Sequence, residues 1–171
     1  MRIIAGKYGG RVIQSPEFSP TRPTTNIAKE ALFNSLENYF NFDKISFLDL
    51  FGGTGQLSYE IASRGCEKIT IVEQYPKCVQ FIEKTKSLLD IQGMTIMPMD
   101  VFKYIAISKD KFDLIFAGPP YPLANLAELP DLIIEHQLIE GEGWFVLEHN
   151  PNHNFKKHPN YIKQKIWTNH F

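Results

Sequence analysis

Three acidic side chains and a run of glycines carry the clearest chemistry in this sequence. Asp49 lies in LDLFGGTGQLS, just ahead of Phe51 and a turn built on Gly52, Gly53 and Gly55. Glu73 closes KITIVE, and Asp100 closes MTIMPMD, with Val101 directly after it. A glycine-rich turn lets a ligand approach the backbone closely because no Cβ stands in the way. One carboxylate can accept from an ammonium, a second from both hydroxyls of a ribose, and a third from a purine amino group to which the Val101 amide donates back. Such a trio suits a nucleoside that also bears a positively charged group. A fourth segment, FDLIFAGPPY, ends an apolar run with Gly118, Pro119, Pro120 and Tyr121. Two prolines with fixed φ make a stiff rim, and Tyr121 is placed to stack on a flat ring.

These residues need a scaffold that delivers them to one edge. The runs 45–50, 68–73, 94–99, 112–117 and 143–149 are short, apolar and rich in Ile, Val and Phe. Hydrophobicity this continuous predicts strands buried on both faces of a parallel sheet. Helical patterns at 56–64, 76–90, 101–107 and 124–137 separate them, and Pro76 suits a first helical turn. Strands alternating with helices predict a doubly wound α/β fold, with each acid at the C-terminal end of its strand. The first forty residues differ. MRIIAGKYGGRVIQS reads as a small β-hairpin turning through GKYGG. TRPTTNIAKEALFNSLENYF reads as a loop entering a helix, capped by Thr24 or Thr25, with Ile27, Ala31, Leu32, Leu36 and Phe40 as its inward stripe.

Composition narrows the class. A chain of 171 residues suits one domain, spanning 1–171. Cys66 and Cys78 have no metal-binding or redox spacing and read as reduced packing residues of a cytoplasmic protein. No stretch reaches the ~20 apolar residues of a membrane span, and the five histidines show no ligand pattern. The expectation is a monomer with neither metal nor membrane partner. Net charge is −1, yet its distribution is uneven: residues 1–29 carry +4, residues 150–171 carry another +4, and the middle carries −9. Basic ends around an acidic body can form a phosphate-facing rim.

Two ligand chemistries compete for the glycine turn. A dinucleotide fingerprint requires a glycine three residues after Gly55, where Ser58 stands. S-adenosylmethionine, with its ammonium, ribose and adenine, matches the three acids better. The segments LDLFGGTG, VE at 72–73, MD at 99–100 and PPY resemble class I S-adenosylmethionine-dependent methyltransferases. More narrowly, RIIAGKYGGR, TRPTTNIAKEALFNSL and GWFVLEH are similar to the bacterial enzymes that methylate guanine N2 in 16S ribosomal RNA. The likeness covers about residues 1–150. It implies a Rossmann-like, seven-stranded, mostly parallel sheet with helices on both faces and an N-terminal β-hairpin. It also implies S-adenosylmethionine as cofactor, with Asp49, Phe51, Gly52, Gly53, Gly55, Glu73, Asp100 and Val101 around it. The 16S RNA or small ribosomal subunit is the implied partner, contacted by Arg2, Lys7, Arg11, Arg22 and Thr24.

Two departures from that pattern matter. The family places Asp or Asn before Pro-Pro as an acceptor for the target amino group, with the Pro119 carbonyl as the second acceptor. Gly118 removes the first, or else serves a turn that needs φ > 0. The chain also ends in YIKQKIWTNHF, where relatives have a Tyr-Gly turn and a last strand. An impaired guanine-N2 methyltransferase is therefore weighed against a catalytically silent cofactor- and RNA-binding protein and against a DNA adenine-N6 methyltransferase.

Overall fold

A computed structural model of the chain describes residues 1–18, 24–120 and 122–166. Five strands form one parallel sheet: β1 (Ser46–Leu50), β2 (Lys68–Val72), β3 (Met94–Met97), β4 (Phe112–Ala117) and β5 (Ile139–Leu147), in the order β3-β2-β1-β4-β5. Five α-helices accompany them: α1 (Asn26–Leu36), α2 (Gln56–Ser63), α3 (Pro76–Leu89), α4 (Val101–Ile107) and α5 (Leu129–Glu135). Strand order reverses beside β1, which lies between β2 and β4. In open α/β sheets the crevice at the C-terminal ends of the strands flanking that point is where ligands bind.

Alternation along the strands builds two cores. Phe47, Ile69, Ile71, Leu114 and Phe116 face Phe33 and Leu36 of α1, Leu57 and Ile61 of α2, and Ile82 and Leu89 of α3. Leu48, Leu50, Val72, Ile115 and Ala117 face Val101 and Ile105 of α4 and Leu129 and Ile133 of α5. A sheet covered on both sides explains why its strands read as unbroken apolar runs. Cys66 and Cys78 are buried and free, and burial pushes each thiol up to about 11.

Several expectations change. Among the described residues the sheet has five strands where the family resemblance implies seven, and residues 148–166 contain none. That tail is instead held by side chains on α1 and just after it. Lys163 Nζ donates to Tyr39 Oη at 3.0 Å, and Lys165 Nζ donates to Ser35 Oγ at 2.9 Å. The N-terminal hairpin is reduced to an antiparallel pairing with a single bridge, Arg2 opposite Val12. Thr25 caps α1 by accepting from the Ala28 amide at 3.2 Å. The buried residues of that helix are Lys29, Phe33 and Leu36, and Leu32 and Phe40 pack against the same core, so the stripe read from the sequence faces inward except at Ile27, which is 81% exposed.

Lys29 is a buried charge that the apolar stripe does not include. Its Nζ donates to the Arg2 carbonyl at 2.5 Å and lies 3.6 Å from Glu60 Oε2. Glu60, fully buried on α2, also accepts from the Ile4 amide at 2.8 Å, the Ala5 amide at 3.2 Å and Arg64 Nε at 2.9 Å. Burial lowers the Lys29 ammonium pKa, opposed by the Glu60 charge. A buried carboxylate is tolerated only with such partners. The network ties the N-terminal segment to α1 and α2.

Candidate active site

Strand ends bring the three acids to one edge of the sheet. Asp49 of β1 pairs laterally with Ile71 of β2, Glu73 directly follows β2, and Asp100 comes after Pro98 and Met99 at the end of β3. The loop Gly118-Pro119-Pro120 leaves β4, the other neighbour of β1, at that edge. The topology thus gathers all of them at the switch point.

Each acid is fixed by the chain and keeps accepting capacity. Asp49 is 2% exposed, and its Oδ2 accepts from Ser58 Oγ at 2.7 Å. Burial pushes its carboxyl up to about 7, against the Ser58 hydrogen bond and with a further push from the Glu73 charge. Glu73 Oε2 accepts from the Gly53 amide at 2.7 Å and Oε1 from the Tyr75 amide at 2.7 Å. Asp100 caps α4, its Oδ1 accepting from the Lys103 amide at 3.0 Å. Carboxylate oxygens carry two lone pairs each, so these bonds leave acceptors for a ligand. Val101 opens α4 and is buried.

The turn itself is committed to close approach. Phe51 has φ +62°, Gly53 +57° and Gly55 +84°. A Cβ on Gly55 would stand 2.5 Å from Tyr59 Oη, and one on Gly52 would collide with Ile71 Cγ1. Sequence reading treated Ser58 only as a missing glycine, yet its hydroxyl holds Asp49. The cue was its place one helical turn after the glycines.

Gly118 is absent from the glycines with positive φ, so the left-handed-turn explanation for it is withdrawn. A Cβ at 118 would meet Phe116 Cε1 at 3.0 Å and Glu148 Oε2 at 3.4 Å. Glu148, just past β5, donates its amide to Ala117 O at 2.9 Å and leans over the glycine. Glu148 is exposed as a residue, yet desolvation of its carboxyl raises the pKa above the ordinary glutamate value. Pro119 is buried, while Pro120 is exposed and accepts from the Leu123 amide at 3.0 Å. Tyr121 and Arg22 lie outside the described residues.

The basic candidates are less gathered. The Thr24 carbonyl accepts from Gln56 Nε2 at 3.1 Å, which holds it at the start of α2 beside the glycine turn. The Lys7 amide instead donates to the Ser63 carbonyl at 2.7 Å, at the far end of α2. Its eight residues span about 12 Å of helix. Lys7 and Arg11 flank the Tyr8 ring at 5.3 and 5.4 Å, and Arg2 is exposed.

A family model described as conserved hypothetical protein 95 matches residues 1–167. The chain belongs to that family. A Bacillus subtilis protein named as a proposed rRNA methyltransferase is 33% identical over 154 residues, covering 88% of this chain and 83% of its own. Ribosomal RNA small subunit methyltransferase D of Escherichia coli is 28% identical over 148 residues, 86% of this chain and 71% of its own. An Escherichia coli structure assigned as a methyltransferase superposes with a TM-score of 0.86 at 24% identity, covering 98% and 92% of the two chains, a likeness of fold. By family and fold, the conserved hypothetical protein 95 chain is a class I S-adenosylmethionine-dependent methyltransferase. Its residues fit that cofactor through the chemistry of the donor set: three carboxylates at one sheet edge, each with acceptors to spare.

Proposed function

We propose that this protein methylates the exocyclic N2 of a guanine in the 16S RNA of the small ribosomal subunit. The reading is supported above all by the juxtaposition of the three strand-end acids with the Gly-Pro-Pro loop across the switch point. Relatives named as ribosomal RNA small subunit methyltransferase D supply the substrate class. Asp49 accepts from the methionine ammonium, directly or through water, and Glu73 accepts from the ribose hydroxyls. Asp100 and the Val101 amide hold the adenine, while Phe51 and the glycines admit the cofactor's body. When bound, S-adenosylmethionine supplies an electrophilic methyl group.

The chain's own task is to present the amino nitrogen. That nitrogen is a weak nucleophile because its lone pair is delocalised into the purine. Acceptors that hold its hydrogens favour attack and stabilise the positive charge that grows on it. The Pro119 carbonyl is one acceptor, and Tyr121 stacks on the base to align it. An unstacked nucleotide is the form in which a base enters such a pocket. Thr24 approaches the RNA near the pocket, Arg22 contacts a phosphate, and Arg2, Lys7 and Arg11 meet phosphates farther along, positioning without reading sequence.

Gly118 contributes no side-chain acceptor. By analogy with the loss of one preorganised donor from an oxyanion hole, the deficit is ~3–4 kcal/mol, or ~10²–10³ in rate. The protein is therefore a slow catalyst that Gly118→Asp accelerates. The experiment is transfer of labelled methyl from S-adenosylmethionine to unmodified small-subunit particles, followed by digestion to nucleosides. Label in N2-methylguanosine, greater for Gly118→Asp, is the expected result. Label in N6-methyladenine of a DNA substrate, or no transfer by either form, removes the proposal.

A further inference from the structure

The vacancy at Gly118 is bordered by a carboxylate that the sequence offers no reason to notice. Ala117 and Leu147 are lateral partners in the β4–β5 ladder, so Gly118 and Glu148 are the next pair beyond the sheet edge. The Glu148 amide is anchored to the Ala117 carbonyl at 2.9 Å, which fixes where its side chain starts. Its Oε2 lies 3.4 Å from the point a Cβ on Gly118 would occupy. The carboxyl makes neither a hydrogen bond nor an ion pair with another described residue. It thus stands beside the space where an acidic side chain from position 118 would begin, with its acceptor capacity unspent.

We propose that Glu148 supplies the acceptor missing at Gly118, as a catalytic residue that holds the target amino group and takes its proton. This rests on the function proposed above. The amino nitrogen forms its bond to the methyl carbon with its lone pair, as the carbon–sulfur bond breaks and that pair returns to sulfur, leaving a neutral thioether. The nitrogen, momentarily positive, releases a proton to the Glu148 carboxylate, which passes it to water. One positive charge leaves the sulfonium and one proton reaches solvent, so charge balances. Its exposure lets the carboxyl pass a proton to water, and its raised pKa makes it a better base. A Cβ at 118 would press on the Phe116 ring at 3.0 Å and come into contact with the Glu148 carboxyl at 3.4 Å.

A double-mutant cycle on methyl transfer to small-subunit particles tests it, with native protein, Gly118→Asp, Glu148→Gln and the double variant. Glu148→Gln keeps the side chain's size but loses its charge and basicity. It is expected to lower kcat by about 10²-fold, with KM for particles unchanged. Calorimetric affinity for S-adenosylmethionine and the melting temperature should stay at native values. Gly118→Asp should raise the rate by at least tenfold more in the Glu148→Gln background than in the native one, because one carboxylate then replaces the other. A readout independent of turnover is the Glu148 carboxyl titration followed by carbon NMR. It should move upward in Gly118→Asp, where two carboxylates share one space.

Native kcat in Glu148→Gln, equal gains from Gly118→Asp in both backgrounds, or an unmoved Glu148 titration each overturns the role of Glu148 while the methyltransferase reading stands. Native protein silent beside an active Gly118→Asp does the same. Silence of both toward particles overturns the proposed function and this inference together.

Discussion

Asp49 shows how one residue couples the fold to its ligand. An unfolded Asp loses its proton near 3.8, whereas burial holds the folded carboxyl to about 7. Between those values the folded state binds one more proton than the unfolded chain. Stability from this group is therefore greatest below about pH 4, declines as pH rises through that window, and is level above 7. A shift of that size corresponds to roughly 4 kcal/mol. Asp49→Asn removes the dependence, so its melting temperature relative to native should be higher at pH 8 than at pH 5. The opposite trend would show that the carboxylate is already ionised in the empty protein. A cationic ligand group beside Asp49 draws the carboxyl back toward ionisation. Cofactor affinity should then rise between pH 5.5 and 7 with net proton release, read by calorimetry in two buffers of different ionisation heat. The acids themselves were legible because each closes an apolar run. Ser58 and Glu148 were not, since their significance lies in a hydroxyl one helical turn away and in a lateral neighbour thirty residues distant.

Element boundaries were read closely where a single apolar run met a glycine, proline or acid. Asp100 starts α4 and Pro76 starts α3 where their residue types foretell it. The inward face of α1 was legible at Leu32, Leu36 and Phe40, but one buried charge was not. Lys29 turns inward because its partner Glu60, 31 residues away, is buried with it. The network around Glu60 stabilises the docking of three elements at once: the N-terminal segment, α1 and α2. Removing its carboxylate leaves Lys29 and Arg64 as buried cations with a common counter-ion gone, and strips the acceptor from two backbone amides. Glu60→Ala should therefore cost about 3–5 kcal/mol, measured by urea unfolding. A loss below 1 kcal/mol would mean the pair adds nothing beyond packing. Glu60→Gln should fall between the two, because it keeps an acceptor for the Ile4 or Ala5 amide.

At the scale of the molecule, sheet order decides what the isolated motifs mean. Segments 50 or more residues apart converge because β1 lies between β2 and β4, and only the topology brings the Gly-Pro-Pro loop beside the cofactor acids. Alternating strands and helices foretold a parallel sheet. Five apolar runs also foretold its five strands, while the seven that the family resemblance implies are not found among the described residues. The same geometry separates the basic residues: Thr24 is held beside the glycine turn, and Lys7 is docked at the opposite end of α2. Among the described residues, no helix is long and apolar enough to cross a membrane, and no three acids, cysteines or histidines group as metal ligands. The central claim is that Asp49, Glu73 and Asp100 together hold S-adenosylmethionine at this edge. Calorimetric titration of that cofactor into native protein, Glu73→Ala and Lys7→Ala tests it most directly. Native protein and Lys7→Ala should bind one equivalent with equal affinity. Glu73→Ala, losing charged hydrogen bonds worth ~1.5–3 kcal/mol each, should bind at least about tenfold more weakly. Equal affinity across all three would contradict the site.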